Sequence, residues 1–175
     1  VTVEQVGLNP TRTGILDAFR QMGAEVIIEE TDVWCNEPVG RVTVSCDELL
    51  GIEIGGDLIP RLIDEIPILA VVATQAKGPT IIRDAAELKV KESNRIETTA
   101  SELRKLGANV EVTEDGLIIY GPTELSGGVC QSYGDHRIGM AMAIAGLAAK
   151  EKVYIEGAEA VDVSFPGFFD RLKEI

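Results

Sequence analysis

The sequence predicts an α/β fold, in the mixed α+β sense, built by repeating one unit: strand, helix, strand, helix, strand, strand. Three observations carry that prediction. The first is a recurring helix ending, Ala18-Phe19-Arg20-Gln21-Met22-Gly23-Ala24 and Glu102-Leu103-Arg104-Lys105-Leu106-Gly107-Ala108. A third copy, Asp170-Arg171-Leu172-Lys173-Glu174-Ile175, stops where Gly-Ala would follow. The second is a pair of small-residue helices, residues 67–76 and 139–149, each followed by a short strand. The third is the Asp115-Gly116 turn between two apolar runs, a hairpin signal. Repeats of this kind bundle their helices inside and leave short sheets outside, because one unit cannot bury its own apolar face.

Taken in order, the chain opens on Val-Thr-Val-Glu-Gln-Val, a strand pattern. Asn9-Pro10-Thr11-Arg12-Thr13-Gly14 then leads into a helix running to about Met22, with Thr11 or Asn9 as its cap. Strands are expected over residues 25–29 and around 42–45. The small-residue helix 67–76 precedes a strand at 80–83. From Ile96, apolar positions recur at Thr99, Ala100, Leu103 and Leu106, the spacing of an amphipathic helix, and Gly107 stops it. Strands at 109–113 and 117–120 flank the Asp-Gly turn. The helix 139–149 leads to a strand at 152–156. Residue 1 lies inside a strand-like segment and Ile175 closes a helix-like one without a cap, so the chain is expected to be one domain, residues 1–175, of a longer protein.

Composition narrows the function. The 175 residues carry 29 acidic and 16 basic side chains, a net charge of −13. That balance argues against nucleic acid or an anionic membrane surface as partner, since affinity there comes from Lys and Arg neutralising phosphates. A small anionic substrate held by a few converging cations stays compatible with it. Cys35, Cys46 and Cys130 are widely spaced, without CxxC, and read as free thiols of a reducing compartment. With no signal-peptide pattern, and with the longest small-apolar run (138–149) too short to span a bilayer, a cytoplasmic location is expected.

The residues able to carry chemistry cluster at helix starts. Lys89, Lys91 and Arg95 crowd the start of the helix that ends at Gly107, although unpaired backbone N–H groups already make that end positive. Local pairing with Glu87 or Glu92, an acidic partner elsewhere in the fold, or a bound anion each accounts for the pattern. Arg12, Arg95 and Arg137 all fall in or just before a first helical turn, an arrangement suited to phosphate or carboxylate. Asp64-Glu65, opening the helix 67–76, reads either as a dipole-complementing cap or as a general base among cations. Glu92 reads as a counter-ion or as a proton-transfer partner. His136, the single histidine, reads as structural, and nothing resembles a metal cluster or a phosphate loop.

Two blocks together carry a resemblance. Leu88-Lys89-Val90-Lys91-Glu92-Ser93-Asn94-Arg95, followed by Asp135-His136-Arg137-Ile138-Gly139-Met140-Ala141, resembles the EPSP synthase family of 3-phosphoshikimate 1-carboxyvinyltransferases. Asn9 to Gly14, Ile63 to Ala70 and Ser164-Phe165-Pro166 match further blocks in the right order, so the resemblance covers essentially the whole chain. It implies an inside-out α/β barrel of βαβαββ units and identifies the chain with most of a C-terminal domain. The N-terminal domain, which supplies most contacts to shikimate 3-phosphate, is then absent.

The implied reaction moves the enolpyruvyl group of phosphoenolpyruvate to the 5-hydroxyl of shikimate 3-phosphate and releases phosphate, without metal or organic cofactor. It belongs to the shikimate pathway, towards chorismate and the aromatic amino acids. By motif, Asp64 resembles the residue that takes the hydroxyl proton and contacts shikimate 3-phosphate, and Lys91 a second contact to that substrate. Glu92 resembles the acid acting at the methylene carbon, and Arg95 and Arg137 the arginines that grip phosphoenolpyruvate. Asp162-Val163 stands where some members place a lysine before the Ser/Thr-Phe-Pro block, so no role carries over there. Arg12 matches a motif without a catalytic role. A UDP-N-acetylglucosamine 1-carboxyvinyltransferase-like enzyme and a non-catalytic anion-binding module are the competing readings.

Overall fold

The chain unfolds as one complete unit between two partial ones. In the computed structural model, which describes residues 1–174, the first partial unit comprises β1 (Thr2–Gly7), α1 (Gly14–Gln21), β2 (Glu25–Trp34) and β3 (Glu37–Ser45). The complete unit follows as β4 (Glu53–Ile54), the short α2 (Ile59–Leu62), α3 (Ile66–Ala73), β5 (Gly78–Ile82), α4 (Arg95–Lys105), β6 (Asn109–Val112) and β7 (Leu117–Gly121). The last unit shows β8 (Gly128–Gln131), α5 (His136–Ala148), β9 (Val153–Glu156) and α6 (Phe168–Leu172). Ile175, the last position of the third helix copy, lies outside the described residues.

Sheet topology shows the same unit recurring. The complete unit has strand order β4-β5-β7-β6, with β4 and β5 parallel and the other pairings antiparallel. In the first unit β1-β3-β2 repeats the β5-β7-β6 portion. In the last, β8 and β9 pair in parallel, as β4 and β5 do. Parallel neighbours need a crossover. Buried α3 supplies one and buried α5 the other.

The two helix endings seen in the sequence close with the same bonds. After α1, Gly23 N–H donates to Arg20 O and Ala24 N–H to Phe19 O; after α4, Gly107 N–H donates to Arg104 O and Ala108 N–H to Leu103 O. Both glycines are left-handed, φ 94° and 89°. That is the Schellman ending, which only glycine adopts without steric cost.

The core lies where α3, α4 and α5 pack on one another. Leu69, Ala70 and Ala73 of α3, Ile96, Ala100 and Leu103 of α4, and Ile138, Met142 and Ala145 of α5 are all buried. Small side chains let these helices approach closely, so three helix starts reach one end of the bundle. Among the described residues no helix is long and apolar enough to cross a membrane.

Two local expectations need correction, and one strand has no counterpart among them. Neither Thr11 nor Asn9 caps α1: its N-cap position is Thr13, with no side-chain bond, and Asn9 Oδ1 instead accepts from the Thr11 N–H and hydroxyl. The strand expected at 25–29 continues to Trp34, and its partner begins at Glu37, because Cys35 and Asn36 (φ 49° and 65°) make a tight hairpin. The charged run Glu29-Glu30-Thr31-Asp32 hides this extension, since both faces of that segment are exposed and no alternation marks it. Strand β8 escapes sequence reading altogether, its partner β9 being remote in sequence and its own apolar residues few.

Candidate functional site

The 3-10 turn Ile63–Glu65 delivers Asp64 and Glu65 to the end of the bundle where α4 and α5 begin. Glu65 occupies the N-cap position of α3 but makes no capping bond. Both carboxylates are occupied by cations remote in sequence instead, from the same unit and from its two neighbours. Asp64 pairs with Arg12 at 3.3 Å, Arg95 at 3.2 Å and Lys91 at 3.8 Å. Glu65 pairs with Arg137 at 3.3 Å and Arg12 at 3.6 Å. The dipole-capping reading of Asp64-Glu65 is therefore not what the fold uses.

Arg95 is the centre. Its side chain is 2% exposed and sits at the positive end of α4, where a charge is costly unless paired. Asp135 supplies the main partner: Oδ2 accepts from Nε at 2.8 Å and Oδ1 from Nη2 at 3.2 Å. Glu92 accepts from Nη2 at 2.6 Å and Asp64 from Nη1 at 3.2 Å. Local pairing and remote acidic partners thus both act on the crowded helix start. Lys91 likewise bonds Glu87 at 2.6 Å while facing Asp64, and Lys89 is exposed.

Asp135 is fully buried and has a second task. It is the N-cap of α5, where Oδ1 also accepts from Arg137 N–H at 2.9 Å, and Ser93 Oγ donates to Oδ2 at 3.0 Å. Burial opposes its ionisation, but the Arg95 bond, the Arg137 N–H and Ser93 together hold its pKa below the usual carboxylate value. For Asp64, burial again pushes upward. Arg137, Lys91, Arg12 and Arg95 outweigh it and keep this carboxyl low as well. Burial likewise works against charge on Arg95, and its bond and attraction to Asp135, with Glu92 and Asp64, raise its pKa above the ordinary guanidinium value.

Every sequence-expected site residue, Asp64, Lys91, Glu92, Arg95 and Arg137, belongs to this one cluster. Arg12, set aside in the sequence, joins it directly. Glu65, read together with Asp64 as a cap or a base, and Asp135, part of a motif without a role, join it too; Asp135 has the signal of a capping residue ahead of a helix. Glu65 Oε2 is buried and unpartnered, so that carboxylate is only half satisfied. His136 begins α5, but the cluster is built without it.

Beside the cluster is a cavity of about 210 Å³, with Asp64 and Arg137 on its charged wall and Ile68, Met140, Phe165 and Phe168 among its apolar lining. A larger apolar cavity of about 540 Å³ lies between α1 and the β1–β3 pair and shares only Arg12 with the cluster. Among the described residues no group of three or more His, Cys, Asp or Glu is arranged to hold a metal ion. The cluster pairs Arg12, Lys91, Arg95 and Arg137 with Asp64, Glu65, Glu92 and Asp135, holds Asp64 and Asp135 ionised, and presents a half-exposed acid, Glu92, at its edge.

Fold and site together define an α/β repeat protein whose helix starts gather guanidinium groups and carboxylates into one charged wall. The chain belongs to the EPSP synthase (3-phosphoshikimate 1-carboxyvinyltransferase) family, whose model matches residues 1–172. It is 58% identical over 173 residues to the 3-phosphoshikimate 1-carboxyvinyltransferase of Bacillus cereus (strain G9842), covering 99% of this chain and 40% of that protein. The enzyme of the same name from Desulforamulus reducens is 59% identical over 175 residues, covering 100% of this chain and 41% of that protein. Among solved structures, EPSP synthase from Acinetobacter baumannii superposes with a TM-score of 0.93 at 38% identity, over 99% of this chain and 41% of that one. The chain therefore spans about two fifths of the length of the relatives it matches.

Proposed function

We propose that the intact protein transfers the enolpyruvyl group of phosphoenolpyruvate to the 5-hydroxyl of shikimate 3-phosphate, releasing phosphate, as a cytoplasmic transferase of aromatic amino-acid biosynthesis that uses no cofactor. Residues 1–175 are most of its C-terminal domain and form one wall of the cleft; the N-terminal domain forms the other. One observation carries this reading. Arg12, Lys91, Arg95 and Arg137 converge on Asp64-Glu65, in the turn before α3, from the starts of α1, α4 and α5 and the segment just before α4.

In this reading Arg95 and Arg137 hold phosphoenolpyruvate, and Lys91 and Asp64 contact shikimate 3-phosphate. The attacking hydroxyl bonds to the substituted carbon of the donor as Asp64 takes its proton and Glu92 delivers one to the methylene carbon. Elimination then returns a proton from the new methyl group to Glu92, re-forming the double bond as phosphate leaves with the proton held by Asp64. The geometry adds a coupling. Cations around Asp64 depress its basicity, so a bound polyanion that offsets their field makes Asp64 a better base. Glu92, 50% exposed, is the partner of Arg95 that an incoming anion displaces most easily.

The test is a coupled phosphate-release assay on the intact protein with phosphoenolpyruvate and each acceptor in turn. Release with shikimate 3-phosphate but not with UDP-N-acetylglucosamine is expected. The opposite preference, or no release with either, overturns the reading. The isolated chain, with half the cleft, is expected to be inactive.

A further inference from the structure

We infer that Glu102, at the far end of α4, is a positioning residue for the Arg95–Asp135 pair and for the start of α5. The inference rests on the proposed reading of Arg95 and Arg137 as donor-binding residues. Glu102 touches no residue of the cluster. It acts on the turn that carries Asp135.

Helix α4 holds two buried charges, Arg95 in its first turn and Glu102 in its last, 2% and 0% exposed. Each opposes the helix dipole, a cation at the positive end and an anion near the negative end. Seven positions apart, they share one face. That face meets the β8–α5 connection at two points. Arg95 grips Asp135. Glu102 grips the preceding residues: Oε1 accepts from Tyr133 Oη at 2.6 Å, and Oε2 from Gln131 N–H at 2.9 Å and Lys105 Nζ at 2.9 Å. Both carboxylate oxygens are therefore satisfied, as a buried charge requires.

The gripped segment has an unusual backbone. Tyr133 and Gly134 are both left-handed, φ 57° and 70°. A bulky side chain rarely adopts that region without an outside constraint. The Tyr133–Glu102 bond is such a constraint. Ser132 anchors the same turn, its hydroxyl donating to Gly157 O at 2.8 Å and accepting from Gly134 N–H at 3.2 Å. Two consecutive left-handed residues turn the chain so that Asp135 faces Arg95 and caps Arg137 N–H. Releasing Tyr133 frees that geometry without removing any group from the charged wall.

Tyr133→Phe is the decisive variant, because it keeps the ring and leaves Glu102 paired with Lys105 and Gln131; Glu102→Gln is the second. In the intact protein, hydrogen exchange across the peptide 131–140 is expected to quicken about tenfold or more, while exchange across α3 stays unchanged. The Michaelis constant for phosphoenolpyruvate should rise by a similar factor with turnover much less affected. Uniform quickening across α3, α4 and α5, or no local change, overturns the inference. Local quickening with an unchanged Michaelis constant supports the clamp and instead overturns the donor-binding reading of Arg95 and Arg137.

Discussion

Asp135 holds Arg95 along one edge of its guanidinium, accepting from Nε at 2.8 Å and Nη2 at 3.2 Å, with both side chains buried. This two-point, charge-assisted pair ties the first turn of α4 to the first turn of α5. It also leaves Nη1 and the outer side of Nη2 facing Asp64 and Glu92. One flank of Arg95 is thus committed to the fold and the other is directed at the candidate site.

Removing Asp135 should strand a buried cation. Asp135→Ala is expected to lower unfolding free energy by about 3 kcal/mol, measured by urea titration, since breaking a buried pair leaves an uncompensated charge. Asp135→Asn, still able to cap Arg137 N–H, should lose less. A loss for Asp135→Ala below about 1 kcal/mol, within the range of an exposed pair, would contradict the arrangement.

Acid sensitivity follows from the same group. Asp135 and Asp64 both have folded pKa values below those of the unfolded chain, so the stability they contribute is complete above the unfolded carboxylate value of about 4. It disappears as pH falls through the depressed folded values. Wild type should therefore lose stability steeply below about pH 4. Asp135→Asn should show a shallower decline, and identical slopes would refute the assignment.

On the proposed function, Arg95 and Asp64 should separate kinetically in the intact enzyme. Arg95→Ala is expected to raise the Michaelis constant for phosphoenolpyruvate, and Arg95→Lys should not restore it, because a point charge cannot replace the two-point bond to Asp135. Asp64→Ala should chiefly lower turnover, by about a hundredfold or more if it is the base. Steady-state kinetics with wild-type values for both Arg95→Ala and Asp64→Ala would remove the site.

Gly107→Ala isolates a backbone effect. A Cβ there meets only Ser126 Oγ, at 3.6 Å, so the cost is the left-handed conformation itself. A loss of about 1 kcal/mol is expected from thermal denaturation. Gly23→Ala, at the equivalent ending of α1, should behave alike.

The local patterns were readable where chemistry is local. The Gly-Ala endings, the Asp-Gly hairpin and the small-residue helices all rest on contacts within a few residues, and each reappears in the structure. Long β2 did not show, because its outer half is exposed on both faces and carries no apolar alternation. Nor did Glu102, although a carboxylate flanking the apolar stripe Thr99, Leu103 and Leu106 is the kind of conflict that marks a buried polar contact.

By itself, the sequence determined the repeated unit, the cationic helix starts and the identity of Asp64, Lys91, Glu92, Arg95 and Arg137 as candidates. Only the tertiary structure decided who pairs with whom. Arg95 and Asp135 are forty residues apart along the chain and meet because α4 and α5 pack side by side. Charge on a helix start is a local fact, but its compensation depends on distances across the bundle. Packing sets those distances.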